Sequence, residues 1–144
     1  MTVSELHAEW KRDQAFDRSQ LDRDTANIPY LHHKYWQLLL DTKKSYRQAR
    51  DAYQAARHAK IEYLMGRMTE AERVERNWPV QHLRLQRHDL DNYLDADPVL
   101  QSLKTKVDNL GDVVEFLTDV VKQIAGRGYL AKTILDFMRF SQGA

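Results

Sequence analysis

Cysteine is absent from the 144-residue sequence, which excludes disulfides, zinc knuckles and thiol nucleophiles and makes a reducing cytoplasm the expected compartment. Only five Gly and three Pro punctuate the chain. An all-β fold needs many more turns, so the composition predicts an all-α protein of long amphipathic helices. No apolar run reaches the roughly eighteen residues of a membrane span. The first dozen residues mix both signs of charge and lack an apolar core. The expectation is a soluble chain with no membrane contact and no secretory leader. A dominant charge is missing too: 22 Lys and Arg stand against 21 Asp and Glu, for a net +1. With 42% hydrophobic and 30% charged residues, a single surface-rich, elongated helical bundle is the expected form.

What is present is a 35-residue run from Tyr30 to Leu64 without Gly or Pro, at helical period throughout and stopped by Gly66-Arg67. Lys43, Arg47, Arg50, Gln54 and Arg57 recur at steps of four and three, which places them on one helix face. Lys44, His58 and Lys60 flank that face. Between Asp41 and Arg67 there are seven Lys and Arg against three acids, so the positive charge is localised in a chain that is otherwise balanced. On another side, Leu39, Tyr46 and Tyr53 lie seven apart, with Thr42, Ala49, Ala56 and Tyr63 on the adjoining row. That narrow seam requires a partner helix.

The remaining elements follow from caps and breaks. Ser4 is the expected cap of a first helix through Trp10 to Asp13, and Asp17 or Ser19 of a second through Leu21 and Ala26. Pro29 marks a kink or a fresh start. Thr69 and Glu72 form a weak capping box, Trp78-Pro79 breaks that helix, and His82 to Leu90 fits strand or helix equally. Asp97-Pro98 is a cap followed by a first-turn proline. Behind it Leu103, Val107, Leu110, Val114, Leu117, Val121 and Ile124 form the best core stripe, widened by Val113 and Val120. Gly126-Arg127-Gly128 is expected to end that helix with a C-cap, and Tyr129 to Phe140 to form a last amphipathic one.

Chemistry is sparse. Six His residues include the adjacent pair His32-His33, but no His-Glu-x-x-His spacing accompanies them, so no metal or other cofactor is expected. Gly126-Arg127-Gly128 lacks the Gly-Lys-Ser/Thr ending of a phosphate-cradling loop. Asp89, Asp91, Asp95 and Asp97 have no base, nucleophile or metal partner and are read as a solvated acidic loop. A non-enzymatic role follows. The basic face is interleaved with Tyr35, Trp36, Tyr46, Tyr53 and Tyr63, the mixture that single-stranded nucleic acid binding uses for stacking and charge neutralisation. Tyr46 and Tyr53 lie on the seam, which leaves Tyr63 as the expected contact.

A colinear set of residues runs nearly the length of the chain. It comprises Asp13, Asp17, Leu21, Ala26-Asn27, Leu31, Lys34, Lys43-Lys44, Ala56, Ala59-Lys60, Tyr63 and Gly66-Arg67. It resumes with Leu94, Ala96-Asp97, Gly111, Phe116, Ile124, Arg127-Gly128-Tyr129, Lys132, Ile134, Asp136 and Phe140. In these the sequence resembles the UvsY family, the recombination mediators of T-even-type bacteriophages; residues 68–93 do not match the pattern. The resemblance implies a ring-like homo-oligomer, a hexamer or heptamer, in the cytoplasm of an infected bacterium. Its implied partners are single-stranded DNA, a UvsX-like recombinase and the phage single-strand-binding protein that the recombinase displaces before the presynaptic filament is stabilised. It also implies a basic pair before the Tyr and Gly-Arg, here His58 and Lys60, with His58 a pH-dependent contact where a lysine is expected. The expected DNA-binding residues are Lys43, Lys44, Arg47, Arg50, Arg57, His58, Lys60, Tyr63 and Arg67. Self-association is expected from Leu130, Ile134, Phe137, Met138 and Phe140.

The single domain thus reads as a DNA-binding part over 1–67, a connecting segment over 68–97 whose role is open, and core and oligomerisation helices over 98–144. The competing reading is a helical scaffold whose basic face is only solvated. A helix-turn-helix regulator fits less well, because the cations lie along one long helix.

Overall fold

The computed structural model describes residues 2–143, and among these there are helices and turns but no strand. Seven α-helices occur in chain order: α1 (Val3–Asp13), α2 (Leu21–Ala26), α3 (Ile28–Leu64), α4 (Glu70–Glu75), α5 (Arg87–Asp95), α6 (Pro98–Ala125) and α7 (Arg127–Ser141). A 3₁₀ turn, Arg18–Gln20, precedes α2 and is capped by Asp17. No helix is long and apolar enough to cross a membrane among the described residues. The chain divides into two compact units, one built from residues up to Lys43 together with those from Asp112 onward, the other from Lys44–Gly111. The divisions fall inside α3 and α6.

In the first unit α1 is capped by Thr2, not Ser4: Thr2 Oγ1 accepts from the Glu5 N–H at 3.2 Å and Glu5 Oε2 accepts from the Thr2 N–H at 2.6 Å. This reciprocal box places the cap two residues before the expected one, so the helix starts at Val3. Leu6 and Trp10 then meet Leu31, Tyr35 and Leu39 of α3 and Leu117, Val120 and Ile124 of α6 in one core. Each large aliphatic side chain removed from water there contributes about 1.5–3 kcal/mol before entropy is counted. Polar groups at the rim are paired. Asp13 Oδ2 accepts from Tyr35 Oη at 2.8 Å and from Lys34 Nζ at 2.7 Å, and Lys34 also pairs with Glu9. The partner contacts of Asp13 outweigh the cost of its burial and hold its carboxyl below the usual range.

Gly126 does not close α6 with a left-handed C-cap, since its φ is −81°. The chain turns there and resumes as α7 at Arg127, a buried residue whose Nη2 donates to the Gln14 carbonyl at 2.6 Å. Its guanidinium also lies 5.5 Å from the Trp10 ring and 5.6 Å from the Phe16 ring.

The second unit has its own core of Tyr63, Leu64, Leu94 and Leu100, with Tyr53, Ala56, Trp78 and Leu85 against it. Gly66, at φ +72°, ends α3 in a Schellman motif: the Gly66 N–H donates to the Tyr63 carbonyl and the Arg67 N–H to that of Glu62. Asn77, at φ +58°, ends α4 the same way, with Trp78 and Arg73 in the outer bond. Trp78 to Gln86 is irregular and helix begins only at Arg87, which resolves the ambiguity over His82 to Leu90. Asp97 caps α6, its Oδ1 accepting from the Val99 and Leu100 N–H groups at 2.9 and 3.1 Å.

Candidate nucleic-acid interface

The cations of α3 fall into two groups within the second unit. Lys44, Arg47 and Arg50 are exposed. Lys44 and Arg47 have no carboxylate partner among the described ion pairs, and Arg50 has only its neighbour Asp51 at 4.0 Å. Lys43, the last residue of the first unit, is exposed on the same helix. An α-helix rises about 1.5 Å per residue, so Lys44 to Lys60 extends over roughly 24 Å of axis.

The second group is already engaged. Arg57 Nη2 is 3.7 Å from Asp91 Oδ1, and Lys60 Nζ is 3.3 Å from Asp97 Oδ2. Lys60 also sits 4.8 Å from the Trp78 ring and 5.2 Å from that of Tyr63, so its charge is held over two aromatic faces. Arg76 approaches Trp78 at 5.3 Å, and Arg73 Nη1 donates to the Trp78 carbonyl at 2.9 Å. Arg67 forks onto Glu62 at 3.2 and 2.9 Å. His58 is exposed between these residues.

Two sequence expectations change here. Tyr63 is core: its ring packs on Trp78 at 4.9 Å between centroids and its hydroxyl donates to the Pro79 carbonyl at 2.6 Å, so no base can stack on it in this arrangement. The four aspartates are not a solvated loop. Asp89, Asp91 and Asp95 lie on α5, and Asp97 is a cap whose side chain is only 13% exposed. Burial pushes its carboxyl up, but hydrogen bonds from the Leu100 N–H and Lys60, with the Lys60 charge, bring it below the ordinary value. The contributions of Asp91, Asp97, Trp78 and Arg76 were absent from the sequence reading. The match in number between an acidic cluster and a basic stripe was the available signal for the first two.

The residues expected to drive self-association split by face. Ile134 and Met138 are half-buried, as is Ala131, which with Leu135 lines a groove shared with Leu21 and Ala26 of α2. Leu130, Phe137 and Phe140 face solvent, joined by Tyr129, and Phe140 and Tyr129 are 80% and 81% exposed.

Residues 9–144 match the family described as "Recombination, repair and ssDNA binding protein UvsY". The recombination protein uvsY of Enterobacteria phage T4 is 23% identical over 143 residues, 99% of each chain. Crystal structures of the bacteriophage T4 recombination mediator protein UvsY superpose on this fold with TM-scores of 0.86 and 0.81 in two lattice forms. Their identities are 22% and 23%, covering 99% and 98% of this chain and 98% and 99% of those chains. The matched span includes residues 68–93. The family match extends through all but the first eight residues, and the protein belongs to the UvsY family.

Proposed function

We propose that this protein is a non-enzymatic recombination mediator. It binds single-stranded DNA along the basic face of α3 and helps a UvsX-like recombinase displace the phage single-strand-binding protein in the infected host's cytoplasm. The observation that carries this reading is the exposed pair Arg47 and Arg50 with Lys44 flanking them, available to phosphates along a long helix in a chain of a family described as binding single-stranded DNA. Lys43 and His58 extend this group, and Arg57, Lys60 and Arg67 are cations that DNA reaches by exchange with their carboxylates. Tyr63 supports Lys60 from beneath. The same reading makes the exposed Tyr129, Leu130, Phe137 and Phe140 face of α7 the contact of a ring-like homo-oligomer, in which each further DNA contact becomes intramolecular.

The scaffold alternative draws on one observation, the pairing of Arg57, Lys60 and Arg67 with carboxylates of the same chain. Fluorescence anisotropy with a single-stranded oligonucleotide across a salt series separates the two. Each phosphate contact on a single strand contributes about 0.7 to the slope of log affinity against log salt, so Lys44→Ala/Arg47→Ala/Arg50→Ala should lower the slope by about two with helicity unchanged. Salt-insensitive binding, or an unchanged slope, supports the scaffold.

A further inference from the structure

We infer that Asp97 and Asp91 form a carboxylate gate on the basic face: they occupy the positions of DNA phosphates on Lys60 and Arg57, and a strand binds there by displacing them. This rests on the functional reading above and assigns a role to the segment that the sequence left open. The geometry at Asp97 is specific. One carboxylate oxygen, Oδ1, accepts from the first turn of α6, while the other, Oδ2, faces Lys60 at 3.3 Å. The cap therefore survives the departure of Lys60, and the exchange costs the fold one ion pair and the approaches of Lys60 to Trp78 and Tyr63, but no helix start. Lys60 and Asp97 are 23% and 13% exposed, so the lysine is shielded from isolated anions. Arg57 and Asp91, at 41% and 75%, form the weaker, outer latch.

The arrangement selects for polymers. A lone phosphate gains one contact and must break one, with little net benefit. A strand anchored on the open row of Lys44, Arg47 and Arg50 brings its next phosphates to Arg57 and Lys60 at high effective concentration, where the exchange becomes favourable. Asp97 and Asp91 are thus specificity-determining residues that raise the threshold for ligands too short to reach both groups of cations.

The test is a double-mutant cycle by anisotropy with single-stranded oligonucleotide, on the full chain. Asp97→Asn keeps a good capping residue and frees Lys60. Affinity should rise about three- to fivefold, the scale of removing one competing ion pair near a surface. The gain should vanish in the Lys60→Met background, whereas Asp95→Asn, with no cation partner among the described ion pairs, should change affinity less than twofold. Asp91→Asn, at a side chain that is 75% exposed, should give about a twofold gain that disappears with Arg57→Met. A gain that persists without the cation reflects net charge alone and overturns the gate, as does the absence of any gain in both aspartate variants. A wild-type protein that binds no oligonucleotide overturns the functional reading and the gate together; wild-type binding without the cycle overturns the gate alone.

Discussion

Arg127 is buried with a single hydrogen-bond acceptor, and replacing it measures what fixes the start of α7. Arg127→Met keeps most of the aliphatic stem and removes the guanidinium. Lost with it are the 2.6 Å bond to the Gln14 carbonyl, of the class worth about 1.5–3 kcal/mol, and the approaches to Trp10 and Phe16, at about 0.5–1 kcal/mol each. Against these stands the burial of the guanidinium, which lowers its pKa despite the attraction of Asp24 and Asp13. Desolvation of this kind offsets part of the gain. The balance is a loss of about 2 kcal/mol, because the exposed Gln14 segment lets water reach the abandoned carbonyl. For a chain of this length that lowers Tm by roughly 4–8 °C. Thermal melts by circular dichroism must be run at one protein concentration, since the proposed self-association would couple to stability. Arg139→Met, at an exposed position of α7, should leave Tm unchanged. An Arg127→Met protein as stable as wild type, or more so, would refute the pinning role and show that desolvation dominates.

Two further outcomes are expected. Because the folded pKa of Asp13 lies below its unfolded value, its contribution is full at neutral pH and is lost as pH falls through the ordinary carboxylate range and then the lower folded one. Urea midpoints at pH 7 and pH 3 should therefore differ less in Asp13→Asn than in wild type; an equal difference excludes Asp13 as a source of acid sensitivity. Phe137→Ser/Phe140→Ser removes rings that are 60% and 80% exposed, so helicity should persist while sedimentation velocity shifts to a smaller species, and a full-sized assembly would clear this face of the role.

The long helix was legible because it lacks breakers: the observed start at Ile28 differs by two residues from the expected Tyr30, and the Leu64 end coincides. Asp97-Pro98 was equally plain. In the core stripe, Leu117, Val120 and Ile124 are buried, while Leu103, Val107 and Leu110 are only half-buried, since periodicity marks a face but not how completely a partner covers it. Thr2 displaced Ser4 because either residue can cap, and only Thr2 has Glu at the third helical position to complete the box. Arg127 carried no sign of burial, as its acceptor lies 113 residues away. The same holds for the candidate interface. The cations were readable as a stripe, but their pairing with Asp91 and Asp97, and the loss of Tyr63 to the core, depend on where α5 and Trp78 fold back within the second unit.

The division of the chain has a consequence for biosynthesis. The second unit is one uninterrupted stretch, residues 44–111, whereas the first is assembled from two stretches that flank it. Synthesis at about 5–20 residues per second separates the appearance of residue 111 from that of residue 143 by roughly two to six seconds. During that interval Leu6, Trp10, Leu31 and Tyr35 have been made without Leu117, Val120 and Ile124 to cover them. A nascent chain at this stage contains every residue of the second unit but not those that cover the first, so ribosomal pausing within α6 prolongs the exposure of these apolar side chains. Emergence of the start of α7, with Arg127 reaching back to Gln14, is the event that closes the first unit.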